Sequence, residues 1–436
     1  MKIKRLVEID FSLFFSTIIL TFFGILMIYS SGINSSGMLV TNEYIKQIIF
    51  AIIGIFLIGI IVLFDYRRLY DYAEYFYAFF LLLVLYTVFF GKLVNGARAW
   101  IGFGSFGIQP SEFLKLATII LLSKYLENTQ RSEEHLKRFT IAAIIVVIPM
   151  LFILLQPDLG TALVFIPIFL VTCFIAGITK RYIVYSIFLI GLIGFFTILP
   201  LWQSHILKGA FPFLKIFQNT KIVGVMEFSM ILISGIAWYG YKRYKKDYFY
   251  WIVYSLSLLI ISLLTSLVAH RVLKDYQIMR LIVFLDPYID PKGSGWNIIQ
   301  SITAIGSGGF WGRGYLQGTQ SHYRFLPQQS TDFIFSIFSE EMGFIGGVLL
   351  FSLFLLIVLR LLNIMKTTSD PFGAYIVAGF SGMLVFHFLI NVGMTMGIMP
   401  ITGIPLIFLS YGGSSLLSAL IGIGISLSIY VRRFEH

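Results

Sequence analysis

Apolar runs of about 20 residues recur along almost the whole of this chain, and they leave it few ways to fold. A run of that length crosses the hydrocarbon of a bilayer as a helix, because a helix satisfies its own backbone where water cannot. Twelve membrane segments are predicted, near 11–29, 47–64, 72–90, 112–126, 139–155, 160–178, 182–203, 223–241, 248–269, 344–363, 374–397 and 405–430. Only 12% of the 436 residues are charged, where soluble domains carry about 25%. The short alternating segments of a β-barrel do not occur. The expected fold class is an all-α polytopic membrane protein, read as a single integral membrane domain over 1–436. The fourth segment is short for a full span unless its helix borders protein. The N-terminal MKIKR and Phe11 to Ile28 resemble a signal peptide without a small-x-small cleavage site, so a retained first helix is expected. Cys173, the only cysteine, lies inside an apolar run, which excludes a disulfide framework and a cysteine metal site.

Lysine and arginine set the sidedness. With the N-terminus inside, the inner loops hold clusters such as Arg67–Arg68, Lys137–Arg138, Lys180–Arg181, Lys242 to Lys246 and Arg432–Arg433. The short outer loops hold only Lys46, Lys92, Arg98, Lys208, Lys215 and Lys221. Both termini are then cytoplasmic, and residues from about 270 to 343 form a large external loop. The net charge of +11 is explained by this topology, and no nucleic-acid partner is needed.

Parity places four polar stretches on one face: Asn95 to Lys115, the QPDLGTAL turn from Gln156, the long loop, and Gly397 to Gly413. Glycines 102, 104 and 107 spell G-x-G-x-x-G, but no strand precedes them and no βαβ unit follows, so a dinucleotide site is rejected. There is no P-loop, no HExxH and no Asp-x-Asp pair, which argues against nucleotide-driven chemistry.

Two readings stand side by side at each candidate residue. Arg98 and Trp100 are an interfacial anchor or a contact to an anionic headgroup. Glu112 and Lys115 are an i,i+3 ion pair or a functional pair at membrane depth. Asp158 is an N-cap, with Gly160 and Thr161 opening the next helix, or a site residue. Glu340 and Glu341, being adjacent on a helix, point in different directions and do not suit a paired acid–base role. Asp286 and Asp290 both precede proline, a turn signal. Asp290 is the better chemical candidate, since Pro-Lys-Gly-Ser-Gly follows it, and a carboxylate there can take a proton from a hydroxyl.

Taken together, NGARAWIGFGSFGIQPSEFLKL, QPDLGTAL, LDPYIDPKGSGWNIIQS, GSGGFWGRGYLQGTQSHYRFLP, TDFIFSIFSEEMGFIG and NVGMTMGIMPITGIPLIFLSYGGSSLL resemble the shape, elongation, division and sporulation (SEDS) family. The resemblance covers about 10 to 200 and about 270 to 432, and GTQS before FLP is most similar to the elongation branch. It implies a SEDS-type helical bundle and a peptidoglycan glycosyltransferase that polymerises lipid II at the outer face of the cytoplasmic membrane. It also implies a class B penicillin-binding protein as partner. The family's catalytic aspartate falls on Asp290. Its functional residues of the first large outer loop fall on Arg98, Trp100, Glu112 and Lys115, and the aspartate of its QPDLG turn falls on Asp158.

Two departures from the family pattern stand out. Gln328 and Ser330 occupy positions where the family carries Glu and His. The family has ten helices, so residues 205–270 read as an inserted pair, an even number that preserves the sidedness of the catalytic loop. The implied chemistry is an inverting attack of a sugar 4-hydroxyl on an anomeric carbon, with undecaprenyl diphosphate leaving. Arg98, Lys115, Arg280 and Lys292, or a divalent cation, are the candidates to hold the departing charge. The rival reading is a lipid II flippase, which requires polar groups along a through-path. Here they gather at one face.

Overall fold

The computed structural model describes residues 9–434 apart from 95, 103–106, 133, 206–219 and 273–274. The helices in chain order begin with α1 (Phe11–Ser31), α2 (Glu43–Leu63) and α3 (Arg68–Phe90). A hairpin of β1 (Lys92–Val94) and β2 (Ala97–Trp100) follows, then α4 (Pro110–Asn128), α5 (His135–Leu155) and α6 (Leu159–Ile175). Next come α7 (Lys180–His205), α8 (Thr220–Tyr244), α9 (Asp247–Val272), α10 (Asp275–Leu285) and α11 (Ser294–Gly308). The chain closes with α12 (Thr319–His322), α13 (Ile334–Thr367), α14 (Pro371–Thr395) and α15 (Gly413–Val431).

Every predicted membrane segment overlaps one of these helices. Among the described residues, ten helices are long and apolar enough to cross a membrane. The other two are α4, which carries Glu112, Lys115, Lys124 and Glu127, and α6, with 17 residues. Two boundaries differ from expectation. The last segment starts at Gly413 and not near 405, because side chains from elsewhere take the carbonyls of Ile404, Pro405 and Ser410. The tenth starts at Ile334, so residues 334–343 of the expected loop belong to the helix, and Gly343 interrupts it with φ 63°. A side chain at Gly343 would collide with the backbone of Gly312, so only glycine permits this approach.

The helices fall into two compact units, residues 1–178 with 300–436, and residues 179–299. In the first, α15 is the central element, with all but Ile421 and Tyr430 of its residues buried. It packs on α2, where Gly54 lets Leu420 approach. Helix α3, by contrast, buries only Ala73, Val84 and Thr87, as expected of a helix facing lipid. Helix α14 packs between α6 and α13, with Gly379 against Thr172 and Ile119.

Several of the clustered cations close helix ends. Arg432 is 1% exposed and donates to Val62 O and Leu63 O at the end of α2. Arg138 does the same for Leu126 O of α4 and Ala176 O beyond α6. These are carbonyls without a helical partner, at the negative end of each helix dipole.

In the second unit, α9 packs against both α7 and α8, and α10 against α7. The Tyr185 hydroxyl donates to Ser257 Oγ at 3.1 Å, tying α7 to α9.

Candidate active site

The first unit gathers three of the four polar stretches. The hairpin pairs Leu93 with Arg98 and packs on α3. Alternation along β2 leaves Arg98 exposed, buries Ala99 and half-buries Trp100. The Trp100 ring covers Gly107, where a Cβ would lie 3.1 Å away. Arg98 therefore presents a guanidinium outward beside an aromatic platform.

Pro110 occupies the first turn of α4, where its missing N–H costs nothing. Just before it, Gln109 joins three elements. Its N–H donates to Ser414 Oγ at 2.9 Å, and its Nε2 to Asp158 Oδ2 at 3.0 Å. Asp158 is the N-cap of α6: its carboxylate accepts from Thr161 N at 3.0 Å and Thr161 Oγ1 at 2.7 Å. Desolvation lifts this carboxyl above its ordinary range, against the pull of the two Thr161 donors. Two residues on, a Cβ at Gly160 would strike the carbonyl of Thr402, so the turn lies directly against the 401–412 segment.

One turn into α4, Lys115 Nζ meets Glu112 at 2.8 Å. The Lys115 side chain is 1% exposed and that of Glu112 5%. A third partner was not anticipated from sequence. His387 of α14 places Nε2 3.3 Å from Lys115 Nζ and Nδ1 2.9 Å from Pro405 O. A carbonyl only accepts, so Nδ1 carries the proton, and Nε2 offers its lone pair to the ammonium. The signal for His387 was present, as an ionisable side chain in the middle of an apolar run.

The 401–412 segment has no helix of its own. Asn391 Nδ2 donates to Ile404 O and to Asp332 O, at 2.8 and 3.0 Å. Gln47 Nε2 donates to Ser410 O at 3.2 Å, and Tyr411 N to Ser330 O at 2.8 Å. Irregular backbone at membrane depth is tolerated only where protein or a water-filled cavity surrounds it. Ser330 thus serves through its carbonyl, while Gln328 O collects the N–H groups of Thr331, Asp332 and Phe333.

Glu340 and Glu341 do point apart. Glu340 accepts from Thr319 N, Gln320 N and Ser321 N, while Glu341 accepts from Ser30 Oγ and stands 4.0 Å from His322 Nε2. Burial, with Glu341 and Tyr29 adding to it, pushes the nearby Tyr315 hydroxyl up to about 12.

The remaining candidates belong to the second unit. Asp286 caps the 3₁₀ turn Pro287–Ile289, accepting from Tyr288 N at 2.9 Å. Asp290 ends that turn, and its carbonyl accepts from Gly293 N and Gly295 N. Its carboxylate lies over Gly293, where a Cβ would collide with both oxygens. Lys292 is exposed beside it, and Arg280 lies half-buried on α10. Among the described residues, no three His, Cys, Asp or Glu side chains cluster as metal ligands.

Comparison with known proteins agrees with this architecture. A family model described as "Cell cycle protein", joining FtsW, RodA and SpoVE, matches residues 11–224 and 217–434. The chain is 51% identical to the peptidoglycan glycosyltransferase RodA of Treponema pallidum over 433 residues, covering 99% of this chain and 100% of that protein. It is 33% identical to stage V sporulation protein E of Bacillus subtilis, over 96% of each chain. Among solved structures, it resembles a chain from a study of the structural coordination of polymerization and crosslinking by a peptidoglycan synthase complex. That match has 26% identity and a TM-score of 0.69, over 98% of this chain and 99% of the other. With matches over nearly its whole length, the chain belongs to the FtsW, RodA and SpoVE family of cell cycle proteins.

Proposed function

We propose a division of labour among the residues above for the activity that kinship gives this chain. The protein is a peptidoglycan glycosyltransferase of cell elongation, and not a lipid flippase. In our reading it polymerises lipid II at the outer face of the cytoplasmic membrane, with both termini inside. The diphosphate-bearing headgroup is the donor, and the acceptor's sugar 4-hydroxyl attacks its anomeric carbon. The hydroxyl loses its proton to a base, the bond to the lipid diphosphate breaks, and configuration inverts.

Asp290 is the base in this scheme. The observation that carries the assignment is the contrast between two neighbouring carboxylates. Asp286 is committed to a backbone cap, whereas the Asp290 carboxylate lies beside a glycine at the start of α11, where a bulkier side chain is excluded. Arg98 and Trp100 receive the anionic headgroup, the first as a bidentate donor and the second as an apolar platform. Within the second unit, Lys292 and Arg280 are assigned to anionic ligand groups. Glu112, Lys115 and Asp158 are here assigned to positioning. The first two are buried and satisfy each other, and the third is a cap.

A class B penicillin-binding protein is the proposed crosslinking partner, since the similar solved chain comes from a complex that couples the two activities. The test is glycan-chain growth from lipid II by the purified protein in detergent, where there is no membrane to cross. Chain growth supports the scheme, and its absence from an active partner complex defeats it.

A further inference from the structure

The function so far leaves α8 and α9 without a task. Their joined ends carry Lys242, Arg243, Lys245 and Lys246, and the start of α7 adds Lys180 and Arg181. All six are exposed, and none forms an ion pair among the described residues. Asp247 is the only acid in the turn. We propose that this end of the second unit binds the headgroups of anionic phospholipids.

A rule of membrane topology alone would account for cations in a loop, but it would not require them to converge. Here they do. The Arg181 guanidinium lies 6.0 Å over the Tyr250 ring, and Tyr254 donates to Arg181 O, which holds the start of α7 against α9. The Tyr241 and Tyr250 rings meet at 6.1 Å and bring the end of α8 to the same place.

The backbone supplies a second argument. Lys245 ends α8 in the left-handed region, with φ 50° and its N–H on Tyr241 O. Glycine would adopt that conformation without strain and is the usual residue there. A lysine at such a position keeps a charge where the fold alone would favour losing it.

The occupant is argued from the surface beside the charges. Tyr239, Tyr248 and Trp251 are more than half exposed, as aromatic residues are at the level of lipid headgroups. Farther along α8, Val225, Phe228 and Ile236 are also largely exposed. A phospholipid matches both parts, with its phosphate on the cations and its acyl chains along α8. A soluble acidic protein would leave the apolar part uncovered.

Lys245→Gly separates binding from folding, because it relieves the backbone while removing a charge. The experiment uses the full chain in mixed micelles, with dioleoylphosphatidylglycerol or dioleoylphosphatidylcholine as probe and native mass spectrometry as readout. It depends neither on sidedness nor on catalysis. Wild type should retain phosphatidylglycerol in preference, and high salt should weaken the preference. Lys245→Gly with Lys246→Gln should lower that retention by roughly five-fold per charge removed. Lys245→Gly alone should not lower the melting temperature in phosphatidylcholine. Equal retention of the two lipids by wild type, or unchanged phosphatidylglycerol retention by the double variant, overturns the proposal.

Discussion

The imidazole of His387 stands between Lys115 and Pro405, accepting from the ammonium at 3.3 Å and donating to the carbonyl at 2.9 Å. It thereby joins a buried charge pair of α4 to a segment that forms no helix of its own. Glu112→Gln should be costly, because it leaves the buried ammonium without its counter-charge, a loss of about 3–5 kcal/mol. Glu112→Gln with Lys115→Met should recover much of that loss. His387→Gln keeps one donor and one acceptor and should fold well, whereas His387→Phe should not. Melting temperatures of the purified variants in detergent check the set, and additive effects of the two α4 substitutions would contradict it.

Asp290→Asn preserves size but removes the proton acceptor. Chain growth from lipid II should fall by roughly 10²- to 10⁴-fold, with lipid II binding retained. Asp286→Asn should cost far less, since an asparagine side chain can still cap Tyr288 N. Gly293→Ala probes the same site from the backbone, because its methyl displaces the Asp290 carboxylate. It should slow polymerisation without abolishing expression. A dead Asp286→Asn beside an active Asp290→Asn would reverse the assignment.

Arg98 is exposed on a two-stranded hairpin, so Arg98→Ala should leave the melting temperature nearly unchanged. Its effect should appear as weaker use of lipid II, by about 10-fold or more if a charged hydrogen bond is lost. Kinetics over a range of lipid II concentrations separate this from a folding defect. Wild-type kinetics in a folded Arg98→Ala protein would remove Arg98 from the site.

Asp158 yields a prediction in pH. Its carboxyl titrates higher in the folded protein than in the unfolded chain, where about 3.9 is usual. A raised group favours the fold below the unfolded value and loses that contribution as pH climbs through the folded one. At neutral pH the charge is therefore a burden, and Asp158→Asn, which can still accept from Thr161 N, should melt higher than wild type. The gap should close as pH falls towards 4. If the variant melts lower at every pH, the cap needs the charge itself.

Much of this architecture was legible because lipid is a strict solvent. A 20-residue apolar run has one stable answer, so the twelve helices stood out even where capping signals were weak. Local partners were legible too: Glu112 with Lys115 from their spacing, Asp158 from the threonine three residues on, and the divergence of Glu340 from Glu341 from helix geometry. His387 was missed because its partner Lys115 lies 272 residues away in sequence. Residues 405–412 were read as the start of a helix for the opposite reason. Their composition is as apolar as a span, and only hydrogen bonds from distant side chains show that they do something else.

Those borrowed hydrogen bonds bear on how the protein is made. Gln47 on α2, His387 and Asn391 on α14, and the turn at Thr331 each hold one part of 401–412. All four suppliers precede the segment in the chain, so a ribosome delivers them first. The segment can therefore be received by an assembled bundle as it emerges, and α15 then slides in as the closing stave. A truncation just before residue 401 would leave an open seam with its hydrogen-bonding partners waiting, a natural substrate for membrane quality control.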